Sequence, residues 1–182
     1  MLSLDHAIKG RRSIRRFKPD EIPVDTVRAV LEAGTWAPSA KNGQQWRFTV
    51  LTGESKKRFT AMFGSELTKL MKKKQSVGPG FGSLKVMEQA PVNIIVWNIN
   101  EKGWITEVHS VAAAIQNMLL KAYSLGLGSL WIGDVFYLPE KIFQDFFEKD
   151  WQLSAGLALG IPDESPDPRP RMSVDQVTEF FP

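Results

Sequence analysis

The chain has 182 residues, of which 43% are hydrophobic and 24% charged, as in a folded domain with a sizeable core rather than a disordered chain. It contains no cysteine, which excludes disulfide bonds, thiol nucleophiles, iron–sulfur clusters and thiolate metal sites. A net charge of +3 leaves nucleic acid, a membrane surface and an anionic small molecule open as partners. No apolar run approaches the roughly 20 residues that span a bilayer, and the N-terminus lacks a secretory pattern. We therefore expect one cytoplasmic domain over residues 1–182.

The first half of the chain alternates between helix and strand patterns. Short helices are expected at about 4–10 and 23–34, the second with apolar residues at helical spacing between a proline and a glycine. A strand is predicted at 47–52 and an amphipathic helix at 58–75. Residues 76–83 contain three glycines and one proline, which is typical of a mobile loop.

The strongest periodic pattern follows a buried strand predicted at 91–98. Apolar residues trace a helical stripe over 106–124, and the opposite side of this helix is apolar too. A helix that is apolar nearly all round is buried on both sides. This pattern indicates either a central helix or a subunit interface.

The last third of the chain predicts a strand at 128–132, a helix rich in phenylalanine at 139–150 and a strand at 154–161. An extended, proline-rich tail follows at 162–170. Strands and helices without regular βαβ alternation favour the α+β class. Neither of the two common nucleotide-binding glycine motifs is present in the sequence.

Two arginine clusters lie near opposite ends of the chain. The sequence GRRSIRRF at 10–17 follows a short helix, and its guanidinium groups and serine suit a phosphate site. An RNA-binding arm and a solvated basic turn are alternatives. Arg169 and Arg171 flank a proline in the tail, which is a weak signal alone.

Two further motifs have both a functional and a structural interpretation. The sequence APSAKNGQQW at 37–46 is a polar loop that leads into a strand, suited to recognise a heterocycle edge or to act as a plain connector. The glycines of GLGSLWIGD at 126–134 allow a backbone to approach a flat ligand closely, or they form a tight turn from helix to strand.

The four motifs together, in the order RRSIRRF, APSAKNGQQWRF, GLGSLWIG and LGIPDE…PRPR, resemble the nitroreductase family of flavoproteins from residue 7 to about 177. This resemblance implies a nitroreductase-like α+β fold, with a mostly antiparallel sheet flanked by helices and a long buried central helix. It also implies a homodimer, a dimeric α/β/α sandwich, with FMN held between the subunits and NAD(P)H as transient reductant.

The resemblance also assigns the cofactor-binding residues. Arg11, Arg12 and Ser13 would hold the phosphate and ribityl oxygens, with Arg15 at the N1/O2 edge of the flavin. Arg169 and Arg171 would close the phosphate site. The partner subunit would contribute the second loop, through Pro38, Ser39, Ala40 and Asn42, with Gln44 close by. The glycine-rich strand would contact the ring through Trp131, Ile132 and Gly133, with a backbone N–H near Gly133 aimed at N5.

The activity implied by the resemblance is a ping-pong oxidoreductase. Hydride would pass from NAD(P)H to flavin N5, and a nitroaromatic, quinone or related electron-poor acceptor would then take the electrons. No catalytic side chain and no metal is expected, and His6 and His109 are interpreted as surface and helix polar positions. A specialised flavoenzyme of the same fold (a dehalogenase or heterocycle dehydrogenase) and a non-catalytic flavin-binding protein are the alternatives. The motif order argues against a nucleic-acid partner.

Overall fold

The computed structural model describes residues 3–99 and 104–181. These residues form an α+β domain of helices and strands in mixed order. The elements are α1 (Leu4–Gly10), α2 (Val24–Thr35), β1 (Trp46–Leu51), α3 (Gly53–Lys72), α4 (Gly78–Gln89), β2 (Val92–Asn98), α5 (Ile105–Ser124), β3 (Gly128–Ile132), α6 (Glu140–Phe147), β4 (Gln152–Gly160) and α7 (Val174–Val177). Short 3-10 turns at Ala40–Asn42 and Asp134–Tyr137 precede β1 and α6.

The four strands form one antiparallel sheet in the order β1-β2-β4-β3. The central strand β2 is buried along its whole length, which explains its predominantly apolar sequence. Its side chains alternate between the two faces of the sheet, with Ile94 in one hydrophobic cluster and Ile95 in the other. The prediction of a mostly antiparallel sheet is confirmed.

Helices cover both faces of the sheet. On one face α2 and α5 pack around Val30, Ile115 and Met118. On the other face α3, α4 and α6 pack around a cluster of phenylalanines that includes Phe59 and Phe63. The chain is therefore an α/β/α sandwich with two hydrophobic layers, as the family resemblance implied for each subunit. Among the described residues, no helix has the length and apolarity needed to cross a bilayer.

The predicted mobile loop at 76–83 is wrong, because α4 begins at Gly78. Pro79 lies in the first turn, where its fixed φ favours a helix and its missing N–H costs nothing. A Cβ at Gly80 would come within 2.9 Å of Leu67, so this glycine permits close packing of α4 on α3. The Lys56 ammonium donates to the carbonyls of Glu88 and Ala90 at the end of α4, at 2.9 and 2.8 Å, and so connects α3 to the C-terminal end of α4.

Helix α3 also begins earlier than predicted, at Gly53. The Ser55 hydroxyl accepts a hydrogen bond from the Thr52 N–H at 3.1 Å and donates to the Thr52 carbonyl at 2.8 Å. This local cap starts the helix in a polar turn that apolar periodicity does not reveal.

The predicted central helix, α5, is confirmed. It packs on α2 and on the sheet, and its buried residues include Val111, Ile115 and Met118. Its N-terminal turns also expose apolar side chains, with Ile105 71% and Val108 44% exposed. The C-terminal segment after β4, which contains the unpredicted α7, leaves Phe180 and Phe181 exposed.

Candidate functional site

The basic loop, residues 11–16, lies between strand β3 and the C-terminal tail. Ser13 forms a parallel bridge with Ser129, and the Ile14 N–H donates to the Ser129 carbonyl at 3.0 Å. Ile14 and Phe17 are buried, whereas the polar residues between and beside them are half-buried or exposed. The apolar residues thus anchor the loop to the sheet edge and leave the arginines at the surface.

The two arginine clusters meet in one cleft, which we call the arginine cleft. It has a volume of about 150 Å³. The side chains around it include five guanidinium groups and one carboxylate, and the lining residues are Arg11, Arg12, Ser13, Arg15, Pro166, Asp167, Arg169 and Arg171. The fold therefore brings together residues from near opposite ends of the chain, as the sequence analysis expected.

The cations of the arginine cleft lack matching negative charge. The pKa of Arg11 lies below its usual value because of burial, and because of repulsion from Arg12 and Arg171. Within residues 3–99 and 104–181, none of the ion pairs involves an arginine of the cleft. Such a cluster, with a single aspartate beside it, suits a dianionic group such as a phosphate monoester.

The hydrogen bonds of these arginines leave donors free. Arg12 donates to the Lys9 and Arg11 carbonyls at 2.6 and 2.9 Å, and Arg171 donates to the Arg169 carbonyl at 3.3 Å. The Arg12 Nε is buried and has no partner among the described residues. A buried donor of this kind favours an oxyanion as its partner.

Strand β3 leads from the arginine cleft to Gly133. Gly133 lies four residue steps beyond Ser129, which pairs with the basic loop, a distance of about 13 Å at strand geometry. Gly133 is exposed, and a Cβ built on it would meet no protein atom within 4 Å. A ligand with a phosphate at one end and a flat ring at the other fits this spacing.

The two residues before Gly133 face opposite ways. Trp131 is 40% exposed, and its side chain borders an apolar groove beside Val108 and Phe136. Ile132 is 2% exposed and belongs to the core, so only its backbone can touch a ligand.

The polar loop at 38–44 lies away from the arginine cleft within one chain. It leads into β1, whereas the cleft adjoins β3 at the opposite edge of the sheet, about 14 Å away at three strand spacings. The Ala40 N–H donates to the Ser110 hydroxyl at 3.1 Å, and the Ser39 hydroxyl accepts from the Gln44 N–H at 3.1 Å. The fold thus brings the basic loop, the glycine-rich strand and the C-terminal arginines together, and it places the polar loop at the opposite edge of the sheet.

The same loop carries backbone strain. Lys41, Asn42 and Gln44 have φ values of 52°, 53° and 48°, in the left-handed region that residues with a Cβ rarely occupy. All three side chains are exposed, and the Lys41 ammonium lies 4.3 Å from the centre of the Trp104 ring. Strained, exposed polar residues on a loop fixed by a strand are typical of a binding surface.

Glu164 was not among the predicted site residues. One oxygen of its carboxylate accepts hydrogen bonds from the N–H groups of Arg15 and Arg16, and the other lies 3.3 Å from the Arg16 Nε. The Arg15 N–H holds the pKa of Glu164 below its usual value; burial opposes this effect and Arg16 reinforces it.

Asp134, which directly follows Gly133, was likewise missed. The hydroxyl of the buried Ser83 donates to its carboxylate at 2.5 Å, which fastens the turn after β3 to helix α4. The histidines remain outside the site: His6 and His109 are both exposed, and His6 contacts the Tyr123 hydroxyl at 3.2 Å. Among the described residues, no group of histidines and carboxylates is arranged to hold a metal.

Comparison with known proteins agrees with this arrangement. The model of the Nitroreductase family matches residues 8–161. A Bacillus subtilis protein provisionally named NAD(P)H nitroreductase YfhC is 27% identical over 95% of this chain and 92% of its own. The iodotyrosine deiodinase of Thermotoga neapolitana is 26% identical over 93% of this chain and 92% of its own.

A solved structure shows the same fold. It is the complex with FMN of a Desulfovibrio desulfuricans protein provisionally named a nitroreductase, with a TM-score of 0.79 and 27% identity, covering 100% of this chain and 99% of that one. The family match extends over most of the chain and includes the basic loop, the polar loop and β3. The chain belongs to the nitroreductase family.

Proposed function

We propose that this chain is an FMN-dependent oxidoreductase that takes electrons from NAD(P)H and gives them to a nitroaromatic, quinone or related electron-poor acceptor. The observation that carries the proposal is the arginine cleft, which holds five guanidinium groups without ion-pair partners among the described residues. The cleft lies at one end of β3, and the open surface over Gly133 lies at the other. The names of the relatives given above support the same reading.

The residues of the arginine cleft fit the phosphate of FMN. Arg11, Arg12 and Ser13 from the basic loop, with Arg169 and Arg171 from the tail, would donate to the phosphate and ribityl oxygens. The exposed Arg15 would reach the N1/O2 edge of the ring and stabilise the negative charge of the reduced state. A cation–anion contact of about 4 Å contributes a few kcal/mol, about 4 at an effective dielectric constant of 20.

The ring would lie against the end of β3. The exposed Trp131 and Gly133 can contact it, together with the backbone of Ile132 and a backbone N–H near Gly133 directed at N5. Pro38, Ser39, Ala40, Asn42 and Gln44 would contact it from a second copy of the chain. The distance between the polar loop and the arginine cleft within one chain supports this two-subunit site.

When bound, FMN supplies the redox chemistry, accepting hydride from NAD(P)H at N5 and delivering electrons to the acceptor. The protein's residues would bind and orient the cofactor: the arginines would hold the phosphate, and the backbone near Gly133 and the Arg15 guanidinium would fix the ring edge. The two substrates would occupy the open face in turn, as a ping-pong scheme requires. No side-chain acid or base is needed, and we place the enzyme in the cytoplasm, where NAD(P)H is available.

A specialised reaction on the same fold is the second candidate. The match to an iodotyrosine deiodinase over most of the chain favours reductive dehalogenation as that reaction. A heterocycle dehydrogenase and a non-catalytic flavin-binding protein use the same cofactor site.

The absorption spectrum of the purified protein tests the proposal. We expect the bands of oxidised flavin, about one FMN per chain, and loss of those bands when NADH or NADPH is added without oxygen. Adding a nitroaromatic, a quinone or a halotyrosine should then restore the bands and identify the acceptor class. A preparation that binds no flavin even with excess FMN would contradict the proposal. Bound FMN that neither NADH nor NADPH reduces would instead indicate a non-catalytic flavin-binding protein.

We also propose that the protein is a homodimer. Ile105 and Val108 at the start of α5 are 71% and 44% exposed, and Trp36 on the same layer is 81% exposed. Such apolar exposure is costly in water unless another chain covers it. We expect sedimentation to give about twice the 20.5 kDa chain mass.

Replacing Ile105 and Val108 together by aspartate should yield monomers and at least a tenfold lower FMN affinity. These side chains are exposed in one chain, so a folded circular dichroism spectrum should be retained. Exchange of the exposed Lys72 and Lys73 for aspartate is the control. Wild-type protein that sediments as a monomer with tightly bound FMN would refute the two-subunit site.

A further inference from the structure

The C-terminal tail is attached to the basic loop by a short ladder of hydrogen bonds. The Lys18 N–H donates to the Ile161 carbonyl at 2.9 Å, and the Asp163 N–H donates to the Arg16 carbonyl at 3.0 Å. Phe17 and Pro162 form an antiparallel bridge between these bonds. The tail therefore leaves β4 and runs back along the loop that carries Arg11, Arg12 and Arg15.

Glu164 makes the last hydrogen bonds between the two segments. Its carboxylate accepts from the N–H groups of Arg15 and Arg16 and contacts the Arg16 guanidinium, and its side chain is only 19% exposed. Between Ser165 and Met172, the hydrogen bonds among described residues stay within the tail, as from Arg171 to the Arg169 and Pro170 carbonyls. The positions of Arg169 and Arg171 thus depend on the attachment that ends at Glu164.

We infer that Glu164 is a positioning residue that fastens the arginine-bearing tail to the basic loop and so assembles the arginine cleft. The inference rests on the proposed function, because it gives this assembly the purpose of holding FMN. Glu164 orients the backbone of Arg15 while its charge pairs with Arg16, which is 69% exposed and does not line the cleft. The guanidinium of Arg15 is thereby left available to a ligand.

A positioning role and a purely electrostatic role of Glu164 predict opposite changes in FMN affinity when this residue is removed. Removing a carboxylate beside a cationic cleft raises its positive potential, which by charge alone should tighten the binding of a phosphate. If Glu164 positions the cleft, its removal should instead weaken binding. The sign of the change in FMN affinity therefore separates the two effects.

Three variants separate position from charge. Glu164→Ala removes the two hydrogen bonds to backbone N–H groups together with the charge. Glu164→Gln removes the charge and keeps an amide oxygen that can accept both bonds. Asp163→Ala removes an equal charge from the exposed neighbouring carboxylate and is the matched control. FMN affinity is measured from the flavin fluorescence that appears when the purified holoprotein is serially diluted.

We expect Glu164→Ala to weaken FMN binding by roughly tenfold or more, as the loss of two hydrogen bonds implies. Glu164→Gln should stay within about threefold of the wild type, and Asp163→Ala should bind FMN as well as the wild type or better. Affinity that is unchanged or raised in Glu164→Ala, or a loss in Glu164→Gln as large as in the alanine variant, would overturn the inference.

Amide hydrogen exchange measures the attachment of the C-terminal tail to the basic loop in protein without FMN. In flavin-free protein, the amides of Arg15 and Arg16 should be protected in the wild type and in Glu164→Gln, and should exchange at least tenfold faster in Glu164→Ala. Exchange that does not change in the alanine variant would overturn the attachment itself. Wild-type protein that keeps this protection but binds no FMN would instead refute the proposed function, and with it the purpose given to Glu164.

Discussion

Replacing Arg11 and Arg171 together by alanine is expected to lower the affinity for FMN by at least a hundredfold and to yield colourless protein. Both residues line the arginine cleft, although they lie 160 positions apart in the sequence (171 minus 11). A hydrogen bond to a charged group contributes roughly 1.5–3 kcal/mol, so two of them correspond to roughly 10² to 10⁴ in affinity. The ratio of FMN to protein after gel filtration, and a titration with FMN, measure the loss.

The same variant should fold at least as well as the wild type when no flavin is present. Burial, followed by repulsion from Arg12 and Arg171, lowers the pKa of Arg11, so the cations of the cleft oppose one another in the flavin-free chain. Removing two of them relieves that repulsion, and the unfolding temperature of flavin-free protein should not fall. A control that replaces the exposed Lys72 and Lys73 by alanine removes the same charge outside the cleft. Stoichiometric FMN in the arginine variant would show that the cleft does not hold the phosphate.

Replacing Gly133 by valine is expected to reduce bound FMN at least tenfold with little cost to the fold. The backbone at Gly133 has φ −86° and ψ −18°, which any residue can adopt, and a Cβ there would meet no protein atom within 4 Å. A branched side chain should therefore project into space that the ring needs. Flavin absorbance per chain measures the occupancy.

The flavin-free Gly133→Val protein should unfold within a few degrees of the flavin-free wild type. Gly82→Ala is a control, since a Cβ at this exposed position of α4 also meets no protein atom within 4 Å. A valine variant that keeps full flavin content would place the ring elsewhere. Gross unfolding of this variant would show that Gly133 is required by the fold rather than by a ligand.

Elements with strong periodicity were predictable from the sequence. The apolar residues of β2 and α5 predict their structure directly, because β2 is buried on both faces of the sheet and α5 buries one apolar side along its length. Helix α4 was not predictable, because its glycines indicated a loop. The absence of a side chain at Gly80 lets α4 approach Leu67 closely, and such a packing requirement produces no recognisable pattern in the local sequence.

The arginine cleft was predictable only through the family resemblance. Composition left Arg11 and Arg171 as two unrelated basic clusters, and the antiparallel run of the tail along the basic loop brings them together. Glu164 and Asp134 escaped prediction because their partners, Arg15 and Ser83, are 149 and 51 residues away along the chain. An acidic residue without a local partner looks like an ordinary surface charge in a sequence.

The affinity of the protein for FMN compared with riboflavin tests most directly whether the arginine cleft holds a phosphate. The two ligands share the ring and the ribityl chain and differ in the phosphate alone. We expect FMN to bind at least a hundredfold more tightly at low salt, with most of that preference lost in the Arg11→Ala/Arg171→Ala variant. Equal affinity for the two ligands, or a preference for FMN that survives the double substitution, would contradict it.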